Sequence, residues 1–156
     1  MPSRREIIRM TADEIRAYLE QQGRIILVTI GPDGMPNPVP MNYGLDDQGR
    51  IIITSFRKSQ KVLNLRRDPR ATLLVESGET YRELKSVIAF AEAEIIEDPD
   101  AIVELMRLVS ADRELAGSID SGMSEQVRAS IAKRAVLRFT PFRYVSWDHG
   151  KLDGVY

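Results

Sequence analysis

The chain has no cysteine, one histidine and no apolar run long enough to span a membrane. Without cysteine there are no disulfides, no thiol nucleophile and no cysteine-ligated metal centre. A single imidazole, His149, argues against a self-contained zinc site and against an oriented Ser-His-Asp triad. Neither GxGxxG nor GxxxxGK[ST] occurs, so the usual glycine-loop nucleotide signatures are missing. The first ten residues, MPSRREIIRM, are basic but lack the apolar core of a secretion signal. The expectation is a cytoplasmic protein with no membrane partner. Any enzyme built this way would leave its hard chemistry to a bound organic cofactor.

What is present is a local excess of positive charge. The segment IIITSFRKSQKVLNLRRDPR, residues 51–70, runs from a β-branched strand through Thr54-Ser55 into a short basic helix, and Asp68-Pro69 stops it. Six of the fourteen residues 57–70 are Lys or Arg against one acid, in a chain of net charge -1. A strand end that delivers hydroxyls and cations to a helix start suits a phosphate group. The competing reading is a solvated helix face on which cations happen to cluster. A nucleic-acid contact is disfavoured, because no aromatic residue interleaves the basic run.

At 156 residues one domain is expected. Thr11 and Glu14 form a capping-box pattern for a helix over 11–22, and Gly23 ends it. Strands are predicted over 24–30, 35–45, 50–55, 71–76, 85–96 and 135–140, with 144–147 as an extension of the last. Gly31-Pro32-Asp33-Gly34 marks a hairpin, whereas Pro36, Pro38 and Pro40 demand a sheet edge or an irregular stretch. Small residues Ala89, Ala91 and Ala93 alternate along the fifth strand, as in a tightly curved barrel wall. Helices are predicted over 59–67, 99–109 and 124–133, with 111–123 as a linker. The methionines at 35, 41, 106 and 123 read as ordinary filling. Together these give an α+β domain with a six-stranded antiparallel barrel over about 24–147 and flanking helices.

Four stretches carry a family resemblance: LVTIGPDGMPNPVPMNYGLDDQGRIIITS, SQKVLNLRRDPRATLLVE, GETYRELKSVIAFAEAEIIED and the tail RYVSWDHGKLDGVY. From about residue 25 to 156 the chain resembles the split-barrel flavin-binding superfamily that includes pyridoxamine 5'-phosphate oxidase. It is most similar to the branch using the deazaflavin coenzyme F420. The resemblance implies a homodimer with cofactors in clefts between the subunits, and either F420 or FMN as the cofactor. It implies that Ser59 and Lys61 hold the cofactor phosphate, with Arg57, Lys58 and Gln60 beside them. Thr54 and Ser55 would meet the phosphate or ribityl chain. Val39, Pro40, Met41 and Asn42 would lie along the ring through main-chain groups. Trp147 is either a core aromatic or a wall of the partner's cleft, and Lys151 is a further candidate for that cleft.

The oxidase pattern is not followed throughout. Oxidases carry Ser-Arg-Lys where this chain has Ser59-Gln60-Lys61, and an upstream oxidase arginine falls on Pro38. The arginine- and histidine-bearing substrate motif is missing from the tail. The resemblance therefore implies hydride transfer to a small conjugated substrate rather than vitamin B6 oxidation, with no side chain singled out as proton donor. The alternative is a non-catalytic barrel that stores or carries a flavin, haem or tetrapyrrole, with His149 as the haem ligand. Arg66, Arg67 and Arg70 are expected in ion pairs or solvent; the other reading sets them against the deazaflavin's anionic tail.

Overall fold

The structure is a computed structural model that describes residues 1–109, 112–120, 122 and 124–154. Two helices open the chain, α1 (Arg4–Ile8) and α2 (Ala12–Gln21), and each starts with a closed capping box. Ser3 with Glu6, and Thr11 with Glu14, each satisfy one orphan amide of the other. Helix α2 buries Ile15, Tyr18 and Leu19, the stripe that helical spacing dictates.

The strands are β1 (Arg24–Ile30), β2 (Pro36–Asn42), β3 (Gly44–Leu45), β4 (Ile51–Phe56), β5 (Arg70–Ser77), β6 (Lys85–Ile96) and β7 (Arg134–Asp148). They form one antiparallel sheet in the order β2-β1-β5-β6-β7-β4-β3. There are seven strands and not the expected six, because the run 35–45 breaks at Tyr43. Its first part pairs with β1 and its second with β4. The two outermost strands are therefore consecutive in the chain, which curls the sheet into a split barrel. Gly44 has to be glycine here, since a Cβ would overlap the Leu108 carbonyl.

The alternate prolines fall where the ladder can tolerate them. The Gly31 amide donates to the Met35 carbonyl, which makes 31 and 35 a bonded pair. Pro36, Pro38 and Pro40 then face Ile30, Val28 and Ile26 at non-bonded positions, so their missing N–H groups point away from β1. That outer edge offers carbonyls without amides and makes a poor template for another strand. Pro141 is likewise accommodated within β7. The β6–β7 register shifts between Phe90, opposite Arg143, and Ala91, opposite Pro141, so Phe142 is the extra residue of a bulge.

The barrel interior holds Ile25, Leu27, Ile51, Ile53, Leu73, Val75, Leu137 and Phe139, with Ala89 and Ala91 where the wall curves. A second cluster joins Ile52 and Val136 to Ile102, Met106, Val109 and Ile131. These come mainly from α4 (Pro99–Met106) and α6 (Glu125–Ala132). Strand β4 is thus buried on both faces, which explains its unbroken apolar run. The expected linker over 111–123 is instead largely helix α5 (Arg113–Asp120), whose Leu115 and Ile119 pack on the second cluster. Gly117 and the serines around it mask that stripe in the sequence. Met123 lies outside the described residues. Among the described residues no helix is long and apolar enough to cross a membrane.

Candidate functional site

The basic segment folds as expected into a strand, a tight junction and helix α3 (Gln60–Arg67), which sends Val62 and Leu65 into the barrel. Ser55 lies buried on the barrel face, and its Oγ is 3.0 Å from Ser59 Oγ. Ser59 Oγ donates to the Phe56 carbonyl at 2.8 Å, which leaves Ser55 as the donor between the two hydroxyls. Side chains alternate along a strand, so Thr54 points to the opposite face, paired with Val136. Its Oγ1 is buried and has no partner among the described residues.

Thr54 and Ser55 therefore do not converge through their side chains. The main chain of Thr54 does face the site. The Asp46 amide donates to Arg50 O, which sets the ladder's phase and turns the Ile52 main chain toward β3. Thr54 faces the same way two residues later, past the end of β3. Its N–H and C=O open onto the gap between β4 and the proline edge of β2. Along that edge Val39 and Met41 pack against the core, while Pro40 and Asn42 are exposed. Of residues 39–42, only Pro40 and Asn42 therefore present exposed side chains.

The six cations sort into two groups. Arg57 donates to the carbonyls of Arg134 and Glu97, each at 2.6 Å. Arg66 pairs with Glu97, Arg67 donates to Ile30 O, and Arg70 grips Asp68 at 3.0 and 2.7 Å. That last pair holds the Asp68 carboxyl at about 2, the Arg70 hydrogen bonds being the main cause. Lys58 and Lys61 have no partner among the described residues. Lys58 is exposed, whereas Lys61 is half-buried and burial pulls its pKa below the ordinary value. Arg57 is thus committed to backbone carbonyls and is not a free phosphate ligand.

Gln60 is exposed, but its side-chain amide is bonded within the helix. Its Nε2 donates to Asn64 Oδ1 at 2.7 Å, and Asn64 Nδ2 donates to Thr29 Oγ1 at 3.0 Å. Asn64 and Thr29 are fully buried, so this chain locks the start of α3 to β1. Sequence reading missed it. The available signal was a polar Asn64 on the inward stripe between Val62 and Leu65. With Gln60 engaged by Asn64, Lys61 is left as the half-buried cation at the helix start. The amides of Gln60 and Lys61 have no partner among the described residues, and Ser59 makes no side-chain cap. Two free amides, two hydroxyls and an unpaired lysine on the first turn of α3 make this helix start a candidate anion cradle. None of the five hollows described on this chain is lined by Ser59 or Lys61.

The C-terminal tail is built differently. Trp147 is half-buried on β7 opposite Ser86. His149 Nδ1 lies 2.8 Å from the Tyr81 carbonyl, and the two rings are 4.4 Å apart. Lys151 Nζ meets Glu14 Oε2 at 2.6 Å and Arg9 O at 2.8 Å. Lys151 is therefore a tie to the N-terminal helices and is not brought to Ser59 and Lys61.

The family model described as pyridoxamine 5'-phosphate oxidase matches residues 11–148. The chain belongs to this family. A conserved hypothetical protein of Mycobacterium tuberculosis is similar at 34% identity, covering 99% of this chain and 95% of that one with a TM-score of 0.81. An F420 reductase shares the fold at 22% identity and TM-score 0.57, over 83% of this chain and 94% of its own. The haem storage protein HutZ of Vibrio cholerae does so at 15% and 0.62, over 89% and 97%. Barrels of this fold thus include an F420 reductase and a haem storage protein.

Proposed function

We propose that the protein is an F420- or FMN-dependent oxidoreductase acting on a small conjugated organic substrate, with F420 preferred. The single observation that carries this is Lys61, a half-buried lysine without a counter-ion on the helix turn that also carries two free amides and the Ser55–Ser59 hydroxyl pair at its start. A ribityl-linked phosphate supplies the missing charge and accepts those donors. Ser59, now bonded to Phe56 O, and Ser55, bonded to Ser59, would supply hydroxyl donors to that phosphate. The Thr54 main chain and the carbonyl edge of residues 36–40 flank the adjoining gap. When bound, the reduced cofactor supplies a hydride to an unsaturated acceptor. The chain's own task is to hold ring and acceptor at contact distance and to exclude water. The proton comes from solvent or from the substrate's surroundings.

The proposal includes a homodimer that completes the cleft. In its support, the outer face of β1, β5 and β6 carries Ile26, Val28, Leu74, Ile88 and Phe90, all half-exposed, with Phe142 beside them 67% exposed. Incubation with F420 or FMN, desalting and absorbance spectroscopy test the cofactor. Retention of either by the wild type and loss in Lys61→Ala are expected; retention of neither overturns the reading. A second reading, haem storage, is favoured by His149 alone. Its Nδ1 is anchored on Tyr81 O, which leaves Nε2 as a coordinating nitrogen. A Soret band that disappears in His149→Ala would establish that function instead.

A further inference from the structure

Two hollows meet on the face where α1 and α2 cross the outer half of β7. The larger, ≈ 540 Å³, has Ile15, Leu19, Pro141 and Tyr144 as its apolar wall, with Arg16 and Arg50 beside them. The smaller, ≈ 210 Å³, continues from Ile15 and Tyr144 to Arg5 and Arg9. Together they reach the size of a small-ligand pocket. Neither touches Ser59 or Lys61. Arg50 and Ser59 flank the six residues of β4, so the groove and the phosphate cradle are roughly 20 Å apart.

The positive charges along this groove are not equivalent. Arg16 is held by Glu20 at 2.6 Å and Arg50 by Asp46 at 2.7 Å, so both are largely neutralised. Arg5 and Arg9 line the small end and form no ion pair among the described residues, although Arg9 adds to the Ser3 hydrogen bonds that hold the nearby Glu6 carboxyl below its ordinary value. Asp13, exposed, is the one acid among the residues lining either hollow. The bulge at Phe142 sets the phase of β7 so that Tyr144 stands at the junction of the two hollows. Burial raises the Tyr144 hydroxyl pKa and nearby Arg16 opposes that, so the hydroxyl is a donor at neutral pH. Gly49, at φ +76, lets Arg16 lie against the 46–50 turn, where it donates to Asp46 O at 3.2 Å. The result is an apolar hollow with unspent cationic charge at one end only.

We propose that this groove binds a small amphipathic carboxylate, with its aryl body against Ile15, Leu19 and Tyr144 and its anionic group between Arg5 and Arg9. The inference is independent of the cofactor reading. Naphthalene-2-carboxylate, titrated calorimetrically into the full chain beside neutral naphthalene-2-methanol, tests it. The carboxylate is expected to bind about tenfold or more tightly than the alcohol, the usual worth of a charge-assisted contact. The double variant Arg5→Gln/Arg9→Gln removes that preference and leaves the alcohol unchanged. Ala12→Trp, at an exposed position lining the larger hollow, weakens both ligands. FMN or F420 retention stays unaltered in both variants, which separates this site from the cradle. Equal affinities for acid and alcohol, no heat from the acid, or an undiminished preference in the double variant overturns the proposal. So does loss of carboxylate binding in Lys61→Ala, because the ligand would then occupy the other site.

Discussion

The junction after β4 and the C-terminal tail both present basic and hydroxyl side chains, yet the fold spends them in opposite ways. In the tail, Lys151 is consumed by Glu14 and Arg9 O, and His149 is pinned to Tyr81 O. At the junction, the guanidiniums of Arg57, Arg66, Arg67 and Arg70 are consumed while Lys61 is left half-buried and unpaired. Paired cations add rigidity, and an unpaired buried one creates demand for an anion. The sequence shows the charges in both places. Only the geometry tells which of them are still available.

This contrast can be broken most directly at Lys61. Lys61→Ala should weaken FMN or F420 binding about 10- to 100-fold, the loss of one charged hydrogen-bond partner, as read by fluorescence titration. An unaltered affinity would place the cofactor elsewhere. Asn64→Leu should lower stability by about 1–3 kcal/mol in thermal unfolding, since Thr29 Oγ1 loses its donor inside the barrel. Cofactor affinity should fall with it if Gln60 and Asn64 position the start of α3.

Proton linkage sharpens the same point. Burial holds Lys61 below its ordinary 10.5, so between those two values the unfolded chain keeps a proton that the native state has released. Stability contributed by this group therefore rises with pH through that window. Phosphate affinity moves the other way, falling as Lys61 loses its charge, and Lys61→Ala should flatten both dependences. The smallest effects are expected where the cations are already paired. Lys151→Met should reduce the melting temperature slightly and leave cofactor retention unchanged, and Arg66→Gln should alter affinity less than twofold by titration.

Much of the architecture was legible because each local signal agreed with the fold. The capping box at Thr11, the Gly31–Gly34 turn and the apolar strands all appear where spacing put them. Three features were not. The break at Tyr43 depends on Gly44 fitting under the Leu108 carbonyl, a contact between distant segments. Helix α5 was hidden by Gly117 and exists through packing of Leu115 and Ile119 on the second cluster. Pro141 stays in β7 because a bulge in the ladder absorbs it. In the candidate site, Ser59 and Lys61 were named through the family resemblance and lie at the start of α3, whereas the hydrogen bond from Gln60 to the buried Asn64 was not foreseen.

The amino-acid order alone placed most of the strands and the basic helix, and it narrowed the proline run to a sheet edge or an irregular stretch. These follow from periodicity and backbone stereochemistry, which act over a few residues. Tertiary structure decided which cations meet an acid or a carbonyl, how Thr54 and Ser55 diverge, and where Lys151 goes. Those outcomes depend on partners tens of residues away, because electrostatic compensation is set by distance in space and not along the chain.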